Sequence, residues 1–174
     1  MEILIIPFST RACSLNTKLA THLADNLSQD HNVSLVDLKD FDMPIYNGDI
    51  ETEQGVPENA KKLFDMIKDS DLVIMPSPEY NGYFPPLFKN TIDWISRVDV
   101  KVFYGKKIAT CSASVGKLGG IRGLYHVRAI LCNLGSIILP NQLTMAQAEQ
   151  ELASPNIAKT IASFCDDIRK FGPS

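Results

Sequence analysis

Met1-Glu2-Ile3-Leu4-Ile5-Ile6-Pro7-Phe8-Ser9-Thr10-Arg11-Ala12-Cys13-Ser14-Leu15-Asn16 opens the chain, and the fold is read outward from it. Glu2 to Pro7 lacks the polar alternation of a half-buried strand, as expected of a parallel strand covered on both faces. A polar stretch follows, and then Leu15, Leu19, Leu23 and Leu27 repeat as the buried side of a helix does. Strand, polar loop, helix is the beginning of an alternating α/β chain.

The alternation continues to the end. Val33 to Leu38, Leu72 to Pro76, Ile108 to Ala113 and Ser136 to Leu139 are four further strand candidates. Between and after them run three more helical stripes. They are Ala60, Leu63, Phe64 and Ile67 behind Pro57, a good first-turn residue; Leu124, Val127, Leu131 and Leu134; and Ile157, Ile161, Phe164 and Ile168. The class is therefore α/β, a five-stranded parallel sheet with helices on both faces. Lys39 to Val56, with Pro44, Gly48 and Gly55, is too long for an ordinary connection and reads as an irregular surface excursion. With 174 residues and no internal repeat, one domain over 1–174 is expected.

Composition narrows the function classes. Seventeen Lys plus Arg against twenty Asp plus Glu leave a net charge of -3 without charge blocks, which argues against nucleic acid as a partner. Ten Gly and ten Pro exclude collagen-like and low-complexity chains. The start lacks the basic flank and cleavage pattern of a secretory signal. No apolar run approaches the roughly 20 residues needed to cross a bilayer. Lys170-Phe171-Gly172-Pro173-Ser174 carries no lipidation motif. No membrane partner and a cytoplasmic location are the expectations. Cys13, Cys111, Cys132 and Cys165 show no zinc or redox spacing, so reduced thiols and no metal site are expected.

In open sheets of this kind ligands bind beyond the carboxyl ends of the strands, which turns attention to three loops. The first places Ser9, Thr10, Arg11, Ser14 and Asn16 ahead of a helix start. Open helix amides, hydroxyl donors and a guanidinium together suit a terminal monophosphate. Neither the Gly-x-Gly-x-x-Gly fingerprint nor a Walker ending is present, so a nucleoside triphosphate is not indicated. In the second loop Pro76, Pro78, Pro85 and Pro86 stiffen the chain, leaving the peptide groups of Glu79, Tyr80, Asn81 and Gly82 to face a planar heterocycle. The third, Cys111 to Gly123, has glycines that permit close backbone approach.

Taken together these motifs resemble the NADPH-dependent FMN reductase family of flavodoxin-like proteins, which includes quinone, chromate and azo-dye reductases. Ser9, Arg11, Ser14 and Asn16 match the family's Ser-x-Arg-x-x-Ser-x-Asn, and Pro78, Glu79, Tyr80 and Asn81 match its Pro-Glu-Tyr-Asn. Lys89, Asn90, Ile92, Asp93 and Trp94 match Lys-Asn-x-Ile-Asp-Trp, and Ser112 to Gly123 is similar to its Ser-Ala-Ser-x-Gly then Gly-Gly-x-Arg-Gly pattern. The resemblance implies a three-layer sandwich with strand order 2-1-3-4-5. It implies that the first loop receives the FMN phosphate, that Pro78 to Gly82 border the isoalloxazine, and that Ser112, Ser114 and Gly116 meet its polar edge. Gly119, Gly120 and Arg122 would accommodate NADPH or the substrate. The implied activity is hydride transfer from NADPH or NADH through FMN to quinone, azo, chromate-like or free flavin acceptors, in a homodimer or homotetramer. No protein side chain is expected to be catalytic, because the flavin carries the chemistry. The alternatives are a flavodoxin-type electron carrier and a non-enzymatic FMN-binding protein.

Two positions depart from the family pattern. Phe8 stands where glycine is usual, and phenylalanine cannot take glycine's left-handed conformations cheaply, so the expectation is a change in phosphate-loop geometry or in FMN affinity. Val115 replaces a common proline. Several other residues read as structural. Asp93 and Arg97 fit a surface i,i+4 ion pair. Phe88, Trp94 and Ile95 fit helix packing, on a helix that in the family can join a dimer interface. His126 fits a partly buried packing or interface role, Cys111 an inert buried thiol, and Glu79 a residue acting through its backbone.

Overall fold

The computed structural model describes residues 1–172; Pro173 and Ser174, which close the C-terminal stretch read above for lipidation, lie outside the described residues. Along the chain run β1 (Glu2–Ile5), α1 (Leu15–Leu27), β2 (Asn32–Leu35), α2 (Gly48–Gln54), α3 (Glu58–Asp69), β3 (Leu72–Pro76) and α4 (Pro86–Asp99). There follow β4 (Lys107–Ala113), α5 (Ile121–Asn133), β5 (Ile137–Ile138), β6 (Leu143–Met145), α6 (Ala148–Glu151) and α7 (Ile157–Phe171). The strands pair in parallel in the order β2-β1-β3-β4-β5, the flavodoxin-like order that the resemblance implied.

The first strand shows why both faces are covered. Side chains alternate across a strand, so Ile3 and Ile5 enter one apolar cluster while Leu4 and Ile6 enter another. On the first face Leu19, Leu23 and Leu27 of α1 and Ile161, Phe164 and Ile168 of α7 complete the packing. On the second, Leu63 and Ile67 of α3, Phe88, Ile92 and Ile95 of α4, and Val127 and Leu131 of α5 do so. β3, central between β1 and β4, is buried at all five positions.

The predicted fifth strand needs correction. β5 is only two residues, paired with Lys107 and Ile108, and a separate β6 pairs with Cys111 to Ala113. Pro140 lies between them and has no N–H to continue the ladder. The Lys39 to Val56 excursion carries the short helix α2, with no buried residue. Its loop is tied to α4 by the Trp94 indole N–H, which donates to Pro44 O at 2.7 Å, and by Asn90, which takes the Tyr46 N–H at 2.7 Å. Trp94 is thus a packing residue, with Tyr46 edge-on at 5.0 Å.

The expected Asp93–Arg97 pair is not formed. Lys89, one turn before Asp93, takes the carboxylate at 2.6 Å, while Arg97 lies over the Tyr46 ring at 5.6 Å. Asp93 had a cation available on either side, and the loop's aromatic ring offered Arg97 another partner. His126 is half-buried against Tyr83, with ring centroids 3.9 Å apart. No helix among the described residues is long and apolar enough to cross a membrane.

Cys111 and Cys165 are buried free thiols, whereas Cys13 and Cys132 are exposed. Burial pushes the Cys111 thiol far up, and chiefly the same cause raises Cys165 to about 12. Only thiolates react rapidly. Titration of the native protein with an aromatic disulfide reagent at neutral pH should therefore register two fast thiols, and four after unfolding. A fast third thiol would show that one of the core cysteines is reached by solvent.

Candidate functional site

Beyond β1 the chain continues beside β3 as far as a bend at Phe8, with Ile6 N–H donating to Ile74 O at 2.9 Å and Phe8 N–H to Pro76 O at 2.8 Å. Phe8 is 1% exposed and meets Phe88 edge-on at 4.9 Å. Position 8 takes no left-handed conformation, since the only non-glycine residues with positive φ among the described residues are Asn81 and Gln147. Phe8 stands at a bend without a positive φ, and its ring points into the core.

After Phe8 the loop tightens. Ser9 N–H bonds Pro7 O, Arg11 N–H approaches Ser9 Oγ at 3.4 Å, and Ser14 N–H donates to Arg11 O at 3.2 Å. Ser14 caps α1, its Oγ accepting from Thr17 N–H at 3.2 Å. The first-turn amides of Leu15 and Asn16 have no intrahelical acceptor, and those of Thr10, Ala12 and Cys13 have no backbone partner among the described residues. Exposed Arg11 adds a full positive charge.

The loop after β3 is built around a tight turn. Asn81 and Gly82 have φ of 52° and 80°, and Tyr80 and Tyr83 exchange hydrogen bonds of 2.9 and 3.0 Å across them. Paired left-handed central residues are the signature of a two-residue hairpin turn, for which Asn-Gly is the preferred sequence. The Glu79 side chain, which nothing in the sequence singled out, is engaged as well. The carboxylate accepts from Arg122 Nε at 2.9 Å, from a second nitrogen of the same guanidinium, and from Gly123 N–H at 3.3 Å. Burial pushes this carboxyl up, but the Arg122 hydrogen bond and charge, with the Gly123 amide, outweigh it and hold the group below its ordinary value.

The loop after β4 is bound from two sides. Asn16 Nδ2 donates to Ala113 O at 2.9 Å and its Oδ1 accepts from Ala113 N–H at 3.0 Å. From the other side Ser114 N–H donates to Met145 O and Ala148 N–H to Ser114 O, each at 3.0 Å. Ser112 is enclosed, 0% exposed, and its Oγ has no hydrogen-bond partner among the described residues. Gly120, with φ of 85°, lies directly over it; a Cβ there would fall 2.0 Å from the Ser112 Oγ. A Cβ on Gly119 would likewise press on backbone, 3.0 Å from Ala146 N. The glycine pair thus has an internal packing reason.

These loops enclose one cleft of about 160 Å³. Ser9, Arg11, Ser14, Asn16, Pro78, Glu79, Tyr80 and Ser114 line it, so most of the residues selected from sequence converge. Asn81, Gly82, Ser112, Gly116, Gly119, Gly120 and Arg122 are not on its wall. The wall also includes Leu15, Ala113 and Val115, which motif reading missed. Leu15 and Ala113 stand next to the selected Ser14 and Ser114, at a helix start and a strand end. The donor set at one end of the cleft, hydroxyls, a guanidinium and open amides, is chemistry for a phosphate monoester; the fit to FMN is therefore good at that end.

Residues 1–150 match the family model described as NADPH-dependent FMN reductase. A quinone reductase of Escherichia coli K12 is 33% identical over 120 residues, covering 69% of this chain but only 64% of that enzyme's length. A 2-hydroxy-1,4-benzoquinone reductase of a Burkholderia species is 30% identical over 175 residues, covering 95% of this chain and 93% of that one. Among solved structures, a flavoenzyme NAD(P)H:(acceptor) oxidoreductase of Paracoccus denitrificans superposes with a TM-score of 0.76 at 26% identity, over 99% of each chain.

Proposed function

Since the chain belongs to the NADPH-dependent FMN reductase family, we propose that it is an FMN-dependent NAD(P)H oxidoreductase, with residues 1–174 forming a single FMN-binding domain. The observation that carries this reading is the convergence of Ser9, Arg11, Ser14 and the open start of α1 with Pro78, Glu79, Tyr80 and Ser114 around one cleft. Ser9, Arg11 and the open amides would hold the phosphate. Asn16 supports them indirectly, because its side chain is committed to Ala113. The Pro78 to Gly82 backbone would border the ring, and Ser114, Gly116 and the peptide of Ser112 its polar edge. Bound FMN supplies the ability to accept hydride from a nicotinamide and to reduce an acceptor.

The protein's own part is positioning and electrostatics. Arg11 offsets phosphate charge, and the rigid Tyr80–Tyr83 turn keeps its peptide groups from rearranging when a ring arrives. Gly119, Gly120 and the outer face of Arg122, whose side chain is 58% exposed, are assigned to the NADPH or NADH side. The acceptor is a small molecule, a quinone before azo, chromate-like or free flavin compounds, by similarity to the two quinone reductases named above. A cytoplasmic homodimer or homotetramer completes the reading.

The direct test is the visible spectrum of the purified protein, followed by NADPH and NADH consumption with a quinone and with free FMN. A colourless protein that neither binds FMN nor oxidises either nucleotide refutes the proposal. A sharper test concerns Arg11. Hydrogen bonds to charged groups contribute about 1.5–3 kcal/mol, so Arg11→Ala should weaken FMN binding roughly 10- to 100-fold while leaving riboflavin, which lacks the phosphate, unchanged. Quenching of flavin fluorescence by apoprotein reads both constants. Equal weakening of the two ligands would move the phosphate elsewhere.

A further inference from the structure

Glu79 does not stand in the cleft as a free acid. Its side chain is 9% exposed, against 58% for that of Arg122, so the carboxylate lies inside and the guanidinium at the rim. The pair joins segments 43 residues apart in sequence, the loop after β3 and the first turn of α5. The Gly123 N–H, also in that first turn, donates to the same carboxylate at 3.3 Å. A shielded carboxylate at a helix start, bonded by a fork and an amide, is held far more firmly than an exposed ion pair.

Backbone packing around the pair shows what the arrangement fixes. A Cβ on Gly123 would lie 3.0 Å from Tyr83 O and 3.3 Å from the Glu79 Cα, so helix and loop touch backbone to backbone. Gly82 faces the guanidinium, a Cβ there falling 4.0 Å from Arg122 Cζ. On the far side of the turn the Tyr83 ring lies against His126, one helical turn beyond Arg122. The Tyr80–Tyr83 turn is internally closed, so it moves as a unit, and Glu79 and Tyr83 attach its two ends to α5.

We propose that Glu79 is a positioning residue whose carboxylate, through Arg122 and the Gly123 amide, sets the height of the Pro78–Gly82 backbone beside the cleft and so the affinity for a flavin ring. The assignment rests on the FMN reading of the cleft and adds to it a side-chain role on the ring side, distinct from the phosphate side served by Arg11. A ring-side device acts on every flavin, phosphorylated or not.

Apoprotein titrated with FMN and with riboflavin decides this, together with visible circular dichroism of the saturated complexes and backbone amide exchange of the apoprotein. Glu79→Gln is expected to weaken both flavins by the same factor, about tenfold, to change the dichroism of the bound ring, and to speed exchange at Tyr80 to Tyr83. Arg122→Met, at an exposed side chain, should reproduce the loss without a folding defect, and the double variant should lose no more than either single one. Unchanged riboflavin affinity and dichroism in both variants overturn the assignment, as does a loss confined to FMN. If unsubstituted apoprotein binds neither flavin, the FMN reading fails separately; unchanged exchange at Tyr80 to Tyr83 in the variants then overturns the latch as well.

Discussion

Phe8→Gly, which installs the residue usual in the family, is expected to destabilise the protein by about 3–5 kcal/mol, the range for deleting a buried aromatic ring. For a chain of this length that corresponds to a fall in melting temperature of roughly 6–20 °C, measurable by calorimetry. Phe8 is 1% exposed, and its ring sits in the cluster with Leu4, Ile6 and Met75 and packs on Phe88 of α4. Glycine would leave that volume empty and also loosen a backbone whose N–H is bonded to Pro76 O of β3. Phe8→Leu, which refills part of the space, should lose less. FMN affinity measured well below the transition should change little in Phe8→Leu, because Phe8 does not line the cleft. A glycine variant that melts with the parent would mean that the ring contributes nothing to the core.

The sequence was informative where a single segment carried its own constraint. β3 coincides with the predicted Leu72 to Pro76, because a strand buried on both faces is apolar throughout. Leu15, Leu19, Leu23 and Leu27 all fall within α1, and Ser14 caps it as hydroxyl residues commonly do. Ser136 to Leu139 was misjudged for a physical reason. Its apolar run resembles a strand, but Pro140 ends the ladder after two residues, and Leu143 to Met145 is too short to show a period of its own. Contacts between distant segments were not legible at all. Nothing in the spacing of Asn16 and Ala113, 97 residues apart, announces their double hydrogen bond, and Glu79 likewise gave no sign of Arg122. Ser112 shows the same limit from another side. Its hydroxyl suggested a ligand contact, but strand alternation places it with Thr110 on the inner face, where both hydroxyls are buried and without partners among the described residues. The Asn81-Gly82 turn, by contrast, has a local signal in a dipeptide that favours hairpins, one that the reading of the loop as a stiff border for a heterocycle passed over.

Asn16→Leu is the second substitution with a large expected effect. Asn16 is 3% exposed, and its side chain satisfies both the N–H and the C=O of Ala113, at 3.0 and 2.9 Å. Leucine has similar bulk but strands both groups, each at about 1–3 kcal/mol, so the loss is about 2–6 kcal/mol. FMN affinity should fall with it, because this bond sets the spacing between the start of α1 and the end of β4. Asn16→Asp separates hydrogen bonding from shape. The introduced carboxyl can still accept from Ala113 N–H, but when ionised it faces Ala113 O with no donor. Its pKa in the folded protein is therefore raised above its unfolded value. A raised carboxyl binds more protons folded than unfolded, so Asn16→Asp should gain stability relative to the parent as pH falls through that folded pKa and lose it as pH rises. Protonated, the group can donate to Ala113 O and restore the pattern of the amide. Parallel thermal melts of parent and variant across mildly acidic pH measure the difference. A gap that stays constant with pH would show that the Asn16 amide donates nothing to Ala113 O.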